Sequence, residues 1–200
     1  MIRFAFKFTI CLLLAAGMGI GLLALRSGDP VYTIYEWLSP ARFQQYDQII
    51  LAVATRNGLD PMLVKAVVWR ESRFDPKKLG GAGERGLMQV SEIAAREWAK
   101  ENRIENFQPE ELFDPKKNVD AGAWYLHRAM MHWQKARDPV PFALAEYNAG
   151  ESRAQRWAGG DGAQSISATA FQKNIDFPGT KKYVESVIER YRFYKRRGRM

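Results

Sequence analysis

The stretch of sequence that decides the fold runs from Asp60 to Glu71 and reads DPMLVKAVVWRE. An aspartate followed by a proline is typical of a helix start, because the aspartate caps free N–H groups and proline fits the first helical position. Apolar residues then recur at the three- and four-residue spacing of one helical face: Leu63, Val64, Val67 and Val68. The pattern predicts a helix that buries this face, and the next position on the face is the carboxylate Glu71.

A carboxylate at the end of an apolar face has an unusual environment. Glutamate is almost never fully buried without a partner, so the simplest alternative is that the Glu71 side chain turns out to solvent. If it stays on the face, its apolar surroundings and the negative end of the helix dipole both favour the protonated form and raise its pKa. A carboxyl that is protonated near neutral pH can act as a general acid. Glu71 is therefore the first candidate catalytic residue.

Helical patterns account for most of the remaining chain, and the predicted fold class is all-α. The 200 residues, 46% of them hydrophobic, are enough for one globular domain. Further helices are predicted over residues 40–56, 91–100, 118–133, 139–147 and 180–194, and one more follows Gly150 and ends at Trp157. Asn118 is interpreted as the N-cap of its helix. Residues 159–179 show little helical signal, and the sequence contains no convincing strand pattern.

Composition argues against several functions. The net charge of +8 belongs to the two ends of the chain, because residues 29–190 carry 22 basic and 22 acidic residues. A neutral body argues against nucleic-acid binding, which usually needs a basic patch on the folded domain. Cys11 is the single cysteine, and the two histidines, His127 and His132, are five residues apart. Neither an internal disulfide nor a structural or catalytic metal is therefore expected.

The N-terminus carries an uncharged run of 18 residues, Phe8 to Leu25, preceded by Arg3 and Lys7. The run is close to the roughly 20 residues that span a bilayer, and cleavage at its small residues would leave an apolar end on the mature chain. Residues 1–28 are therefore interpreted as a membrane anchor in preference to a cleaved signal peptide. The basic residues before the run place the rest of the chain outside the cytoplasm, in the periplasm, or secreted after cleavage. The other predicted segments are a linker at 29–39, the folded domain at 40–194 and a basic tail at 195–200.

Two further segments contain residue types that line binding sites. Residues 80–89 read GGAGERGLMQ, and their glycines allow the backbone to approach a ligand closely or to adopt a positive φ. A flexible surface loop would have the same composition. Residues 145–150 read AEYNAG. A tyrosine and an asparagine at a helix end can supply directed hydrogen bonds, although Asn-Ala-Gly is equally an ordinary helix stop.

Taken in order, four segments resemble the signature of one family, the lytic transglycosylases of the soluble type. The segments are Glu71-Ser72-x-Phe74-Asp75-Pro76, Gly86-Leu87-Met88-Gln89, Ala145-x-Tyr147-Asn148-Ala149-Gly150 and Tyr183-Val184. The resemblance covers about residues 43–192 and implies a lysozyme-like fold, no cofactor and a peptidoglycan glycan strand as substrate. The implied enzyme is a carbon–oxygen lyase that cleaves the β-1,4 bond between N-acetylmuramic acid and N-acetylglucosamine and leaves a 1,6-anhydromuramic acid end.

The resemblance also implies roles for individual residues. Glu71 matches the sole catalytic acid/base, and Tyr147 matches a tyrosine that hydrogen-bonds this glutamate. Substrate-binding roles are expected for residues that line or border the sugar cleft: Ser72, Met88, Gln89, Asn148, Tyr183 and Glu84. The chain departs from the family pattern at Gly80, where serine is usual, and at Glu146, where a small residue is usual.

Two other functions remain open at this stage. A glycosidase that adds water normally needs two carboxylates that flank the scissile bond. Glu84, in the glycine-rich segment, is the candidate second carboxylate and would make the protein a muramidase. A loop carboxylate more often pairs with a neighbour such as Arg85 or stays in solvent. A cell-wall-binding protein without useful turnover is the third interpretation.

Overall fold

Two compact units divide the chain after residue 43, and each is described by itself. The computed structural model describes residues 14–19, 21–22, 29–159 and 166–198. In the first unit, helix α1 (Pro30–Leu38) begins after Asp29, whose side chain accepts a hydrogen bond from the N–H of Tyr32. The segment that was interpreted as a linker, residues 29–39, thus forms a capped helix.

The predicted membrane anchor falls mostly outside the described residues, as do Cys11, Arg3 and Lys7. Its described part, residues 14–19 and 21–22, is helical. Of the residues that are described, no helix is both long enough and apolar enough to cross a membrane.

Helices and connecting loops build the second unit. The unit boundary falls within the short α2 (Pro40–Gln44). The helices of the second unit are α3 (Asp47–Arg56), α4 (Pro61–Ser72), α5 (Glu92–Glu101), α6 (Pro115–His132), α7 (Val140–Ala149), α8 (Glu151–Ala158), α9 (Ala168–Asn174) and α10 (Pro178–Arg197). A 3₁₀ helix covers Pro109–Phe113. The described part of the chain contains no strand, and its β-bridges are isolated pairs within residues 79–90. The all-α prediction is confirmed.

Helix α4 begins as its sequence predicts. The side chain of Asp60 accepts a 2.8 Å hydrogen bond from the N–H of Met62, and Pro61 occupies the first helical position. The predicted apolar face is buried, with no more than 2% exposure at Leu63, Val64, Val67 and Val68. Complete burial of one such side chain contributes about 1.5–3 kcal/mol, so this face anchors the helix in the core.

The end of α4 determines where Glu71 lies. Arg73 and Phe74 adopt the left-handed backbone conformation, with φ of 55° and 63°, and the helix therefore stops at Ser72. Phe74 is 1% exposed, so packing of its ring holds the strained turn in place. Glu71 consequently occupies the last turn of α4, as predicted, on the continuation of the apolar face.

Helix α7 is central to the second unit. It packs against α6, α8, α9 and α10, and α10 also packs against α4. Most of its side chains are buried and several are small, which lets the neighbouring helices approach closely: Pro141, Phe142, Ala143, Leu144, Ala145 and Glu146. Helix α10 buries the apolar face that the sequence predicts, with Tyr183, Val184, Val187 and Ile188. This packing brings the C-terminal ends of α4 and α7 to the same cavity.

Two helices differ from the prediction. The helix predicted over residues 40–56 is interrupted by a turn at Gln45 and Tyr46, between α2 and α3. Helix α9 lies in the segment where the sequence shows little helical signal. The ring of its Phe171 is fully buried and stacks on Phe142 with ring centroids 4.0 Å apart. A helix of seven residues is too short to be stable alone, so this tertiary contact holds it.

The basic end of the chain is helical further than predicted. Helix α10 continues through Arg197, so residues 195–197 of the predicted basic tail belong to it. Lys195 forms an ion pair with Asp60 at 3.0 Å. This contact joins the end of α10 to the N-cap of α4.

The predicted cap of α6 is wrong. The helix begins at Pro115 and its cap is Asp114, so Asn118 lies within the first turn instead of before it. The start signal is the same Asp-Pro pair that begins α4. Tertiary contacts explain the asparagine at this position.

Asn118 fastens the glycine-rich loop to α6. The residue is fully buried, and its Oδ1 accepts a 2.7 Å hydrogen bond from the N–H of Met88. Its Nδ2 donates to the carbonyls of Arg85 and Leu112 at 2.7 and 2.8 Å. Gly86, with φ of 77°, leaves room for this amide, since a Cβ there would lie 2.3 Å from Nδ2. The loop conformation therefore depends on this pair of residues.

Replacement of Asn118 by alanine is expected to destabilise the protein by about 2 kcal/mol or more, because the buried N–H of Met88 and the buried carbonyl of Leu112 lose their partner. The carbonyl of Arg85 keeps its hydrogen bond from the N–H of Val90. Urea unfolding measures the loss. Asn102→Ala is the matched control, since Asn102 makes one side-chain hydrogen bond, to the carbonyl of Trp98. About 1 kcal/mol is expected there. Equal losses in the two variants would contradict the role of Asn118.

Candidate active site

A cavity of about 510 Å³ opens in the second unit. Its wall is formed by the end of α4, the loop between α4 and α5, the first turn of α5, α6 and the end of α7. Polar and ionisable side chains line it: Glu71, Lys78, Glu84, Gln89, Ser91, Tyr125, Tyr147 and Asn148. Its volume lies in the range of small-molecule sites. Of the predicted site residues, the structure brings Glu71, Glu84, Gln89, Tyr147 and Asn148 to this wall but not Ser72, Met88 and Tyr183.

Burial changes the titration of Glu71. Loss of hydration raises the pKa of its carboxyl from 4.5 to about 7. The hydroxyl of Tyr183 and the charges of Arg70 and Lys78 lower this pKa, because they stabilise the carboxylate. The negative charge of Glu84 adds to the increase. Glu71 therefore changes its protonation state near neutral pH. A group that both donates and accepts a proton during a reaction needs this property.

Tyr183 approaches this carboxyl from α10. Its side chain is 2% exposed, and its hydroxyl makes no hydrogen bond of standard geometry with the described residues. The hydroxyl is nevertheless close enough to the carboxylate of Glu71 to lower the pKa of that group. Burial first, and the charge of Glu71 second, raise the pKa of Tyr183 well above its usual value. Tyr183 therefore stays a neutral donor beside Glu71.

Tyr147 lines the cavity but directs its hydroxyl elsewhere. The hydroxyl donates a 2.8 Å hydrogen bond to the main-chain carbonyl of Met88. The ring meets Tyr125 edge to face, with centroids 5.6 Å apart, and this contact fixes its orientation. The structure therefore does not show the expected hydrogen bond from Tyr147 to Glu71, and the tyrosine hydroxyl that lowers the pKa of Glu71 is that of Tyr183.

The glycine-rich loop is held by its own side chains. Gln89 has a left-handed backbone, with φ of 47°, and its Nε2 donates to the carbonyls of Lys78 and Gly86 at 3.0 and 3.1 Å. The other end of the amide, Oε1, lies beside Gly80. A strained backbone that is held by several contacts is typical of ligand-binding loops. The loop is therefore an ordered part of the cavity wall.

Ser72 and Met88 support the site without lining the cavity. Ser72 is 3% exposed, and its hydroxyl donates to the carbonyl of Val68 within α4. Met88 is fully buried against Gly122, where even a Cβ would lie 2.6 Å from the Met88 sulfur. Their side chains contribute packing, so the structure does not place them where they were predicted to contact substrate.

Asn148 is exposed at the cavity wall, at the end of α7. Its Oδ1 accepts a 2.8 Å hydrogen bond from the hydroxyl of Thr180 in the first turn of α10. This bond orients the amide and leaves its NH₂ group as a donor for a ligand.

Lys78 and Tyr125 also line the cavity and were not predicted as site residues. The ammonium group of Lys78 donates to the main-chain carbonyl of Glu71, and its charge lowers the pKa of that residue. Lys78 lies in a loop, where no periodicity indicates the direction of a side chain. Tyr125 lies within the helix predicted over residues 118–133, and no motif distinguishes it from the packing residues of that helix.

Glu146, which replaces the usual small residue beside Tyr147, is buried in a separate network. Its Oε2 accepts a 2.7 Å hydrogen bond from the indole of Trp133 and lies 2.9 Å from Nδ1 of His132. Among the described residues, His132, Glu146 and Glu151 form the one group whose ligand atoms could together hold a metal ion. None of these three lines the cavity. The hydrogen bonds to Glu146 account for its burial without a metal.

Comparison with known proteins identifies the family. The sequence model of the Transglycosylase SLT domain matches residues 48–170. The chain therefore belongs to the transglycosylase SLT domain family. The family predicted from the four motifs is confirmed.

Relatives and solved structures agree with this assignment. The soluble lytic murein transglycosylase of Escherichia coli is 33% identical over 151 residues, which are 75% of this chain and 23% of that protein. The membrane-bound lytic murein transglycosylase F of Desulfosudis oleivorans is 33% identical over 112 residues, 54% of this chain and 23% of that protein. The crystal structure of the 70 kDa soluble lytic transglycosylase SLT70 from Escherichia coli matches with a TM-score of 0.69 and 28% identity, over 76% of this chain and 24% of that chain. The chain thus spans about a quarter of the length of these relatives and shares the fold of the matched part.

Glu71→Gln is expected to stabilise the protein at alkaline pH. The unfolded chain releases the Glu71 proton near pH 4.5, whereas the folded protein keeps it to about pH 7. An increase from pH 5 to pH 8 therefore destabilises the folded state through this group, by roughly 2–3 kcal/mol, and glutamine has no such loss. Urea unfolding at both pH values measures the difference.

The exposed Glu101→Gln variant is the control and should follow the wild type at both pH values. If wild type and Glu71→Gln lost stability in parallel between pH 5 and pH 8, the raised pKa of Glu71 would be contradicted.

Proposed function

We propose that this chain is a lytic transglycosylase that cleaves the β-1,4 bond between N-acetylmuramic acid and N-acetylglucosamine in peptidoglycan and leaves a 1,6-anhydromuramic acid end. Glu71 carries the proposal, because it is a carboxyl with a pKa raised to about 7 at the wall of a polar cavity. Membership of the transglycosylase SLT domain family supports the reaction and the class of substrate.

Glu71 performs both proton transfers in this reaction. The protonated carboxyl donates its proton to the glycosidic oxygen while the bond from that oxygen to C1 of the muramic acid breaks. The N-acetyl group of the same sugar stabilises the cationic centre. The carboxylate then accepts the proton of the 6-hydroxyl, whose oxygen bonds to C1 and closes the anhydro ring. The acid is regenerated, and the atoms balance without water or a cofactor.

The groups around Glu71 suit this cycle. Burial favours the protonated acid that begins the reaction, while Tyr183 and Lys78 stabilise the carboxylate that forms after the first transfer. Gln89 and Asn148 add amide groups to the same wall, and sugar hydroxyl and acetamido groups are suitable partners for them. The cavity therefore holds one acid/base together with hydrogen-bonding groups for a glycan.

A muramidase is the second candidate function, because the cavity contains a second carboxyl, Glu84. In a hydrolase of the inverting type, two carboxyls flank the bond and one of them activates a water molecule. The products of the two reactions differ by one water. A single acid/base accounts for the transglycosylase reaction, whereas hydrolysis requires Glu84 to act as a base.

The cell envelope is the proposed location. The uncharged run before Arg26 supports a membrane anchor, with a cleaved signal peptide as the alternative. The helical residues Leu14, Met18 and Leu22 of this run are 57–68% exposed, as lipid-facing side chains are before insertion. The similar proteins include both soluble and membrane-bound transglycosylases. An anchor would hold the second unit beside peptidoglycan outside the cytoplasm.

Glu71→Gln is expected to lower the rate of peptidoglycan cleavage at least about 100-fold, because glutamine keeps the shape of the side chain but cannot transfer a proton. Release of soluble muropeptides from purified peptidoglycan measures the rate. Glu101→Gln is the matched control, since it removes one exposed carboxylate outside the cavity, and it should retain the wild-type rate.

Near-normal cleavage by Glu71→Gln would rule out this residue as the acid/base. Binding to peptidoglycan without cleavage by the wild type would identify the chain as a cell-wall-binding protein instead.

A further inference from the structure

Helix α1 of the first unit turns apolar side chains outward and polar side chains inward. Four apolar residues at three- and four-residue spacing share one face: Val31, Ile34, Tyr35 and Leu38. Their exposed fractions are 40–74%, whereas Thr33 and Glu36 on the opposite face are 0% and 8% exposed. A helix at a water-exposed protein surface has the reverse arrangement. The outward face is therefore suited to an apolar environment.

No exposed charge interrupts this face. Glu36 is the single charged residue of α1, and it is buried. The same feature occurs earlier in the first unit, where Leu14, Met18 and Leu22 are 57–68% exposed. Apolar side chains are thus exposed on both described helical parts of this unit. A group of exposed apolar side chains of this kind marks a surface that contacts a protein or a membrane.

The aromatic residues and the ends of α1 suit the boundary between water and lipid. The rings of Tyr32 and Tyr35 lie with centroids 6.2 Å apart. Tyrosine is enriched at membrane–water interfaces, because its ring is apolar and its hydroxyl is polar. The N–H of Tyr32 donates to the side chain of Asp29, and the N–H of Ser39 donates to the carbonyl of Tyr35 at 2.9 Å. These bonds satisfy main-chain groups that would be costly to leave unpaired near lipid.

The position of α1 in the chain favours lipid as the occupant of this face. The uncharged run that supports the proposed membrane anchor ends at Leu25, and α1 begins at Pro30. The five residues from Arg26 to Pro30 reach at most roughly 18 Å when fully extended. If the run spans the bilayer, α1 is therefore tethered beside the membrane surface, and this high effective concentration favours its contact with lipid.

We propose that α1 lies flat on the periplasmic surface of the membrane, with Val31, Ile34, Tyr35 and Leu38 inserted at the boundary between headgroups and acyl chains. The partner is the apolar part of the bilayer and not its charge, because α1 carries no basic residue. This inference rests on the proposed anchor and is independent of the reaction at Glu71.

Nitroxide labels on the full chain in phosphatidylcholine vesicles test the inference. Cys11→Ala removes the native cysteine, and Ile34→Cys or Leu38→Cys then carries the label. Labels at both positions are expected to collide often with oxygen, which concentrates in lipid, and rarely with a water-soluble nickel chelate. A label at the exposed Glu101→Cys of the second unit is the control and should show the opposite preference.

Glutamine variants test whether the residues of the face act together. With the label at Val31→Cys, Ile34→Gln combined with Leu38→Gln is expected to lower the ratio of lipid-exposed to water-exposed label about tenfold or more, because two aliphatic side chains no longer enter lipid. Leu51→Gln combined with Ile93→Gln removes two exposed aliphatic side chains of the second unit and should leave the ratio unchanged. High salt should leave it unchanged as well, since α1 has no basic residue.

Water-exposed labels at both Ile34→Cys and Leu38→Cys overturn the inference, and so does a chain that fails to associate with the vesicles. Spin–spin broadening that disappears on dilution with unlabelled protein overturns it too and identifies a second copy of the chain as the occupant. Peptidoglycan cleavage by the same preparation is measured separately. Lipid contact without cleavage would reject the proposed reaction and leave the inference about α1 standing.

Discussion

The reduced hydration of the half-buried Glu71 carboxyl is the constraint on which the rest of the site depends. This loss of hydration raises the pKa of Glu71 to about 7. Helix α4 causes it, because the buried apolar face of the helix continues to Glu71 in the last turn. The left-handed turn at Arg73 and Phe74 then ends the helix and carries the chain into the loop that closes the cavity. The folded state is therefore expected to lose stability at alkaline pH, and the same carboxyl keeps a proton that it can donate near neutral pH.

Opposed electrostatic effects keep the pKa of Glu71 close to neutral pH. Desolvation and Glu84 favour the acid, whereas Tyr183, Lys78 and Arg70 favour the carboxylate. A residue that donates a proton in one step and accepts one in the next must be able to adopt both its protonated and its deprotonated form near the working pH. The charged groups belong to the loop and to α4 itself, while Tyr183 is supplied by α10. The packing of α10 against α4 is therefore part of the chemistry as well as of the core.

Local signals were enough to predict α4 and the position of Glu71, because the Asp-Pro start and the spacing of the apolar residues act within one helix. Long-range contacts were not predictable in this way. Asn118 resembles a cap, but its side chain binds Met88, 30 residues away in the sequence. Two motifs each supplied a tyrosine, and only the packing of helices decides that the hydroxyl of Tyr183, and not that of Tyr147, lowers the pKa of Glu71. The motifs therefore predicted the candidate site, whereas the contacts within it depend on tertiary structure.

The mass of the muropeptides released from purified peptidoglycan tests the central claim most directly, namely that Glu71 alone serves as acid and base. The account predicts that wild type and Glu84→Gln both release products with anhydromuramic acid ends, lighter by one water than hydrolysed products. Reducing-end products from the wild type that disappear in Glu84→Gln would contradict it, since Glu84 would then activate a water molecule and the protein would be a muramidase.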